Sequence, residues 1–520
     1  MQRRYPIGIQ TFEDIIDDNY VYVDKTELVY KLVQNKSIFL SRPRRFGKSL
    51  LCSTLKCYFQ GKKEYFKGLL IENLEKNWTK YEVIHLSLAG CKSDKIESIE
   101  NFIDDLLLDY ENKFSIVAND KIDFNIRFKK IIEKAYEQSQ NKVVIIIDEY
   151  DAQMLNSIDN EEVQNKVRIM MNNLFSPLKD LDPKIRFLFI TGITKFSQMS
   201  IFSALNNLKD ISLDADYEAI CGISKDEITS TMKIDLENFA KANNWNYDIT
   251  LSNFKKQYDG YHFSRQKSDI FNPFSVISAF DSKRLDNFWF SSGTPSSLIK
   301  LINKFDIQMN KLTNIKCKAA DFNQPVERIT NLTAFLFQSG YLTIKDYNES
   351  RDFYILCFPN NEVKSSFADS LNKYLYHTEN TETFYLFDAY KDLEDFGDIA
   401  SFMKYLNIYF RAFPFSLNNM NEKHYHAILY TVLSSYGADI IANPESAKGR
   451  ADLLLKFKDV NYIFELKYDG TTRSAFEQID DKDYIAVAFE KGKKCVKLTI
   501  NFSSKDRNII DWDVDDSYEF

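Results

Sequence analysis

Several short apolar runs along this chain end abruptly in charged or hydroxylated residues, and most are followed by stretches with helical spacing. Lys36-Ser37-Ile38-Phe39-Leu40 leads into a basic loop, and Leu50 to Phe59 then places apolar residues at helical intervals. Val143-Val144-Ile145-Ile146-Ile147 is five β-branched residues in succession, with acids only at its C-terminal end in Asp148, Glu149 and Asp151. Such a run predicts a strand buried on both faces, as in a parallel sheet covered by helices. Arg186 to Ile190 predicts a further strand, ending in Thr191, Thr194 and Lys195. From about Lys195 to Thr378 the pattern turns mostly helical, with a capped helix start at Ile223 to Ile228 and a break at Phe271-Asn272-Pro273. Glu422 to Tyr436 is an apolar-striped helix stopping near Gly437, followed by strand-like runs at Gly449 to Leu455 and Tyr462 to Lys467, and by a helix start at Arg473 to Ile479. No run approaches the roughly 20 apolar residues of a membrane span.

The first loop carries phosphate chemistry. In Arg42-Pro43-Arg44-Arg45-Phe46-Gly47-Lys48-Ser49, between a predicted strand and helix, Gly47 lets the backbone approach phosphate oxygens and Lys48 reaches the outer phosphates. Ser49, at the helix start, is suited to ligating Mg2+. The nucleotide-binding stretch is thus Arg45, Phe46, Gly47, Lys48, Ser49 and Leu50, and ATP with Mg2+ is the implied cofactor pair. The glycine usual five places before Gly47 is Arg42, which narrows the allowed backbone while Arg42, Arg44 and Arg45 bring positive charge. Asp148 stands where a second Mg2+ contact is needed and Glu149 where an attacking water is oriented, while Asp151 serves either role or caps a turn. Thr191 is the candidate phosphate sensor at the end of the next strand.

The second chemical signature lies near the C-terminus. Asp452 and Glu465 are thirteen residues apart on adjacent predicted strands, and Lys467, two places after Glu465, points to the same side of its strand. Paired carboxylates suit a hard divalent cation that keeps several waters, and an ammonium beside them suits a phosphodiester. Asp452 and Glu465 are therefore the expected metal ligands here, as Ser49 and Asp148 are in the first site.

Taken with Pro6-Ile7-Gly8-Ile9-Gln10-Thr11-Phe12, Tyr22-Val23-Asp24-Lys25-Thr26 and Tyr258-Asp259-Gly260-Tyr261-His262-Phe263, these motifs resemble the AAA-ATPase-like family of bacterial proteins whose C-terminal domain looks like a PD-(D/E)XK nuclease. The resemblance covers most of the chain. It implies an α/β protein in three parts: an AAA-like P-loop ATPase core at 1–215, a helical lid and winged-helix-like region at 216–378, and a restriction-endonuclease-like domain at 379–520. It also adds Glu422, on the helix before the two strands, and Gln478, on the helix after them, to the catalytic set of Glu149, Asp452, Glu465 and Lys467. Tyr484 is expected to pack. A trans-acting arginine finger, with Arg168 and Arg186 as candidates, and homo-oligomer formation are implied for such ATPases. The function implied is an ATPase coupled to metal-dependent cleavage of DNA or RNA. The competing reading is an ATP-dependent regulatory or defence switch whose nuclease-like domain binds nucleic acid without cutting it.

Composition narrows this without changing it. At 520 residues the chain exceeds what one hydrophobic core normally serves. A net charge of −8 gives no overall basic excess, so any nucleic-acid surface must be local. Seven scattered cysteines without a CxxC pair argue against a disulfide framework or zinc ribbon and predict buried thiols. With no apolar run after the basic N-terminus, a cytoplasmic location without a membrane partner is expected. Trp289 and its aromatic neighbours, and His262, read as packing and satisfied polar contacts, and His424 and His426 as helix-surface residues.

Overall fold

The β-branched run ends up where its composition sends it. In the computed structural model, Val143–Asp148 forms a strand buried along its whole length near the middle of a five-stranded parallel sheet. The structure describes residues 3–93, 95–117, 123–158, 160–195, 208–266, 268–291, 298–299, 302, 305, 307–323, 332–374, 381–412 and 420–519. The chain divides into two compact units, Met1–Ser297 with Asn314–Glu362 and Leu298–Thr313 with Val363–Phe520. The boundary expected at 378/379 lies outside the described residues.

In the first unit the sheet consists of β1 (Ser37–Ser41), β2 (Glu82–Ser87), β3 (Val143–Asp148), β4 (Ile185–Gly192) and β5 (Lys209–Asp210), in the order β2-β3-β4-β1-β5. Each fully buried Val or Ile contributes about 1.5–3 kcal/mol relative to exposure, which is why apolar residues fill both faces of β1 and β3. The helix Lys48–Phe59 follows β1 directly, so the basic loop sits at the C-terminal edge of the sheet, where ligands bind in open α/β folds. Acids at the end of β3 reach the same edge.

The remainder of this unit is helical with two small antiparallel sheets. One pairs β6 (Ile223–Ser224) with β7 (Ile270–Phe271), and the other orders β8 (Ile315–Cys317), β9 (Thr343–Asn348) and β10 (Phe353–Cys357) as β8-β10-β9. The helix Lys225–Thr229 opens with a capping box between Ser224 and Glu227, as its sequence predicts. Helices Lys233–Ala242, Tyr247–Tyr258 and Pro273–Ser282 enclose an aromatic cluster in which Phe254 lies 4.9 Å from both Phe239 and Phe280. The N-terminal segment is bound to these helices and to the loop helix. The Tyr5 hydroxyl donates to Asp235 at 2.7 Å, and the Phe12 amide donates to the Ser53 hydroxyl at 2.9 Å.

The second unit is built on a mixed sheet ordered β11 (Asp439–Ala442), β12 (Leu453–Lys456), β13 (Val460–Tyr468), β14 (Lys494–Ser503) and β15 (Asn508–Glu519). β13 and β14 run parallel, and the other pairs are antiparallel. The parallel pair is joined by a crossover containing the helix Thr472–Asp481. Among the described residues no helix is long and apolar enough to cross a membrane.

Candidate active sites

The loop after β1 turns twice through the left-handed region. Gly47 has φ +90°, which a glycine adopts without penalty, and Arg45 has φ +65°. Around it lies a cavity of about 690 Å³, lined by Gly47, Lys48, Ser49 and Glu149 and by apolar groups that include Ile9 and Phe274. That volume lies within the roughly 300–1,000 Å³ range of small-molecule sites. The Lys48 ammonium is buried and donates to the carbonyls of Arg42 (3.0 Å) and Pro43 (2.9 Å) within its own loop, and burial lowers its pKa. Asp148 is buried, with Ser49 beside it as a polar partner. Burial raises its pKa, and its Oδ1 has no hydrogen-bond partner among the described residues. Glu149 follows at φ +49°, a strained conformation for a non-glycine residue. A polyphosphate with Mg2+ fits these residues: a glycine-turned loop, a lysine that donates to carbonyls, and a carboxylate with an oxygen unpaired among the described residues. Lys48, Ser49 and Asp148 would hold the pair.

Other first-site expectations need correction. Arg42 is buried away from the cavity, where its guanidinium donates to the carbonyls of Ser41 (3.0 Å), Ser212 (2.8 Å) and Tyr217 (3.1 Å) and stacks 4.1 Å from the Phe263 ring. It pins the loop to the segment after β5 and brings no charge to phosphate. Burial holds its pKa down at about 10. The Phe46 ring is also buried, packed edge-on against Tyr261 at 4.8 Å, so only its backbone is available to a ligand. Arg44 and Arg45 are the exposed cations of the loop.

Thr191 is fully buried, and its hydroxyl donates to the Leu40 carbonyl at 2.7 Å, tying β4 to β1 and leaving no donor for a phosphate. Asp151 accepts from the amides of Ile193 (3.0 Å) and Thr194 (2.6 Å) and from the Thr194 hydroxyl (2.7 Å), and so clamps the turn after β4. This clamp requires Gly192, where a Cβ would fall 2.3 Å from the Asp151 carboxylate. Arg186 sits at the start of β4, the sheet edge opposite the loop, and donates to the Val33 carbonyl at 3.2 Å. Arg168 bonds Asn165 on its own helix at 2.6 Å. Neither arginine lines this chain's own cavity, and a finger acting in trans on a neighbouring copy would not.

In the second unit the residues around Asp452 and Glu465 converge. Leu453 pairs with Phe464, so Asp452, one step before β12, falls opposite Glu465, and its carboxylate accepts from the Leu466 amide at 2.7 Å. Lys467 donates to Glu465 (2.9 Å) and to Gln478 (2.8 Å), and Gln478 in turn donates to the Tyr484 hydroxyl (3.3 Å). Glu422, on the helix Glu422–Ser435, feels both the Asp452 charge and the Lys467 ammonium. Burial raises the pKa of Asp452, and burial first and then the Asp452 charge raise that of Glu465. Burial also raises that of Glu422, with Asp452 adding to it. Glu465 Oε2 is buried without a hydrogen-bond partner among the described residues. Three acids around one ammonium leave an excess of negative charge, and an orphaned carboxylate oxygen among them suits a divalent cation held by Asp452 and Glu465.

His426 departs from the helix-surface expectation. It is buried, one ring nitrogen lies 2.9 Å from the Asp452 carbonyl and the other 2.9 Å from the Asn310 amide, so it fixes the backbone that presents Asp452. The signal was in the spacing: His426 is four residues after Glu422 and shares its helix face. His424 instead closes a capping box with Asn421. Tyr484 does more than pack, since it holds Gln478 against Lys467. Trp289 and His262 have the structural roles expected of them. The Trp289 indole donates to the Arg44 carbonyl at 3.1 Å, and His262 lies between the Ile344 carbonyl and Asp269.

Comparison with known proteins agrees with this division. Residues 6–202 match the family described as "Predicted AAA-ATPase", and residues 420–512 match the "PD-(D/E)XK nuclease superfamily". A similar protein from Azotobacter chroococcum mcd 1, named "Uncharacterized protein in vnfD 5'region", is 29% identical over 521 residues, covering 98% of each chain. The chain thus carries a region similar to the predicted AAA-ATPase family followed, toward its C-terminus, by a region similar to the PD-(D/E)XK nuclease superfamily.

Proposed function

We propose that the N-terminal unit binds and hydrolyses ATP with Mg2+ and that the C-terminal unit cleaves DNA or RNA phosphodiesters with a divalent cation, nucleotide turnover gating the cut. The gathering of Asp452, Glu465, Glu422 and Gln478 around the Lys467 ammonium, on a chain that also carries the loop of Gly47, Lys48 and Ser49, supports this reading above all else.

In the first site Lys48 would leave the Arg42 and Pro43 carbonyls for the outer phosphates, an exchange of neutral acceptors for charged ones. Ser49 and Asp148 would hold Mg2+, and Glu149 would orient the attacking water. In the second site the bound cation supplies Lewis acidity and a water of lowered pKa. Lys467, aligned by Glu465 and Gln478, would donate to the phosphate oxygen on which charge develops. Gln478 is kept in register by the Tyr484 hydroxyl, and Asp452 by the Leu466 amide and the His426 ring.

The test is a cleavage assay with the purified full chain in Mg2+ or Mn2+, with and without ATP, on single-stranded and duplex DNA and RNA. Metal-dependent cutting that disappears in Asp452→Ala is the expected result. Cutting that persists in this variant overturns the assignment, and no cutting under any condition favours the binding-only switch. Calorimetric titration with ATP tests the first site separately, and sedimentation with and without nucleotide reports on self-association.

A further inference from the structure

Behind the phosphate loop, Asp148 has neighbours that play no part in the reading above. Cys52 is on the helix Lys48–Phe59, one turn after Lys48 and Ser49. His85 is on β2, paired with Ile146, so its side chain lies on the same face of the sheet as that of Asp148 two residues further along β3. One donor atom from each of Cys52, His85 and Asp148 lies within 4.8 Å of the other two. Cys52 and Asp148 are buried, and His85 Nε2 and Asp148 Oδ1 are both shielded from solvent with no hydrogen-bond partner among the described residues.

This is a costly arrangement to leave unfilled. An unsatisfied buried donor or acceptor is unfavourable, and His85 and Asp148 each carry one within a cluster that also holds the Cys52 sulfur. The backbone of His85 is firmly held: its amide donates to the Tyr110 hydroxyl at 2.7 Å, and that hydroxyl donates back to the His85 carbonyl at 2.9 Å. The histidine is therefore presented from a fixed strand position. Sulfur, imidazole nitrogen and carboxylate oxygen together are a donor set that favours zinc over Mg2+, which takes oxygen almost exclusively. Around one zinc ion the donor atoms would stand about 3.5 Å apart, so a small rotation of the side chains closes the set.

We propose that Cys52, His85 and Asp148 form a three-residue site for a thiophilic divalent cation, with zinc as the reference ion, that shares Asp148 with the Mg2+ of the nucleotide site. Binding replaces the Cys52 thiol proton, which is released to water, and forms sulfur, nitrogen and oxygen bonds to the ion. A cation seated there draws Asp148 away from Ser49, so zinc occupancy and Mg2+-dependent nucleotide turnover exclude one another. The binding site stands independently of the proposed ATPase; only this antagonism rests on it.

Cobalt is the probe, because a cobalt–thiolate bond gives a near-ultraviolet charge-transfer absorption that oxygen ligands do not. The full chain, stripped of metal with a chelator, is titrated with Co2+ and then with Zn2+. One equivalent of thiolate-ligated cobalt, displaced by zinc, is expected. The absorption should vanish in Cys52→Ala and Cys52→Ser and weaken roughly tenfold or more in His85→Gln, with circular dichroism and melting showing each variant folded. It should persist in Glu465→Gln, which removes a ligand of the other acid cluster. No thiolate absorption in the folded wild type, or its survival in folded Cys52→Ala, overturns the site. Where ATP turnover is measurable, zinc should inhibit the wild type and leave Cys52→Ser insensitive, and equal sensitivity overturns the antagonism. Absence of turnover with the cobalt absorption intact counts against the ATPase reading and supports the metal site.

Discussion

The phosphate loop of the first site and the acid cluster of the second present opposite charges to a ligand. At the N-terminal loop a buried ammonium, Lys48, is held by the carbonyls of Arg42 and Pro43, and the exposed cations Arg44 and Arg45 stand beside it. At the C-terminal sheet three carboxylates, Glu422, Asp452 and Glu465, surround Lys467; burial pushes all three towards protonation, and the Asp452 charge adds to the shift of the other two. The phosphate loop folds in on itself, because its lysine can be satisfied by nearby carbonyls. The second site lacks a cation and stays assembled, because Lys467, Gln478 and the Leu466 amide fix the acids in place. Ligand binding should therefore rearrange hydrogen bonds in the first site and mainly displace protons in the second.

Removing charge from the acid cluster tests this most severely. Lys467→Ala is expected to lower cleavage by about 10²–10³-fold or more, as removal of a group aimed at developing charge does, while ATP affinity stays at its wild-type value. Loss of ATP affinity in the same variant would show that the sites are not separable in this way. The next largest effect is expected from the structural arginine. Arg42→Gly places the more usual glycine in the loop but leaves the carbonyls of Ser212 and Tyr217 without their donor. Urea unfolding should report a loss of about 2–4 kcal/mol, against about 0.5 kcal/mol or less for the exposed Arg44→Ala. An unchanged or increased stability in Arg42→Gly would mean that the loop does not depend on this anchor.

These variants also mark how far the sequence alone could reach. The buried strand Val143–Asp148 was legible because five β-branched residues leave little choice of structure, and the pairing of Asp452 with Glu465 because alternation along strands is a local rule. Arg42 was not legible. Its partners are 170 and 175 residues away, so no window around the loop could distinguish a phosphate ligand from a buried anchor. Thr191 misled for a related reason: a hydroxyl at the end of a strand can face either ligand or neighbour, and the Leu40 carbonyl that takes it belongs to a strand not adjacent in sequence. His85 carried no signal, because its meaning depends on the register of β2 against β3. His426 could have been placed, since four residues separate it from Glu422 on a helix whose ends were evident.

A third comparison concerns the two lysines. Lys48→Ala removes a charge-assisted contact worth about 1.5–3 kcal/mol and should weaken ATP binding by roughly 10–100-fold, measured by calorimetry, without changing metal affinity at the acid cluster. Lys467→Ala should act in the opposite sense on metal: with its ammonium gone, Asp452 and Glu465 lose a competing cation, so Mn2+ should bind at least as tightly as in the wild type even though cleavage fails. Weaker Mn2+ binding in Lys467→Ala would mean that the lysine organises the ligands more than it competes with the ion.

The smallest effect is a difference in the sign of a pH slope, and it follows from the direction in which burial shifts each group. Burial raises the pKa of Glu465 to about 8, so near neutral pH it retains a proton that an ordinary carboxylate has lost, and burial shifts Asp452 in the same direction. As pH rises that proton leaves, the cluster gains negative charge, and affinity for Mn2+ should climb. Burial lowers the pKa of Lys48, so rising pH removes positive charge from the phosphate loop and affinity for ATP should fall. Calorimetric titrations of the two ligands across the neutral and mildly alkaline range should therefore give slopes of opposite sign. Lys48→Arg should flatten the ATP slope, because a guanidinium keeps its charge, and should leave the Mn2+ slope untouched. Parallel slopes in the wild type would show that the loop and the cluster do not differ in the charge they present, and the contrast between them would then reduce to geometry alone.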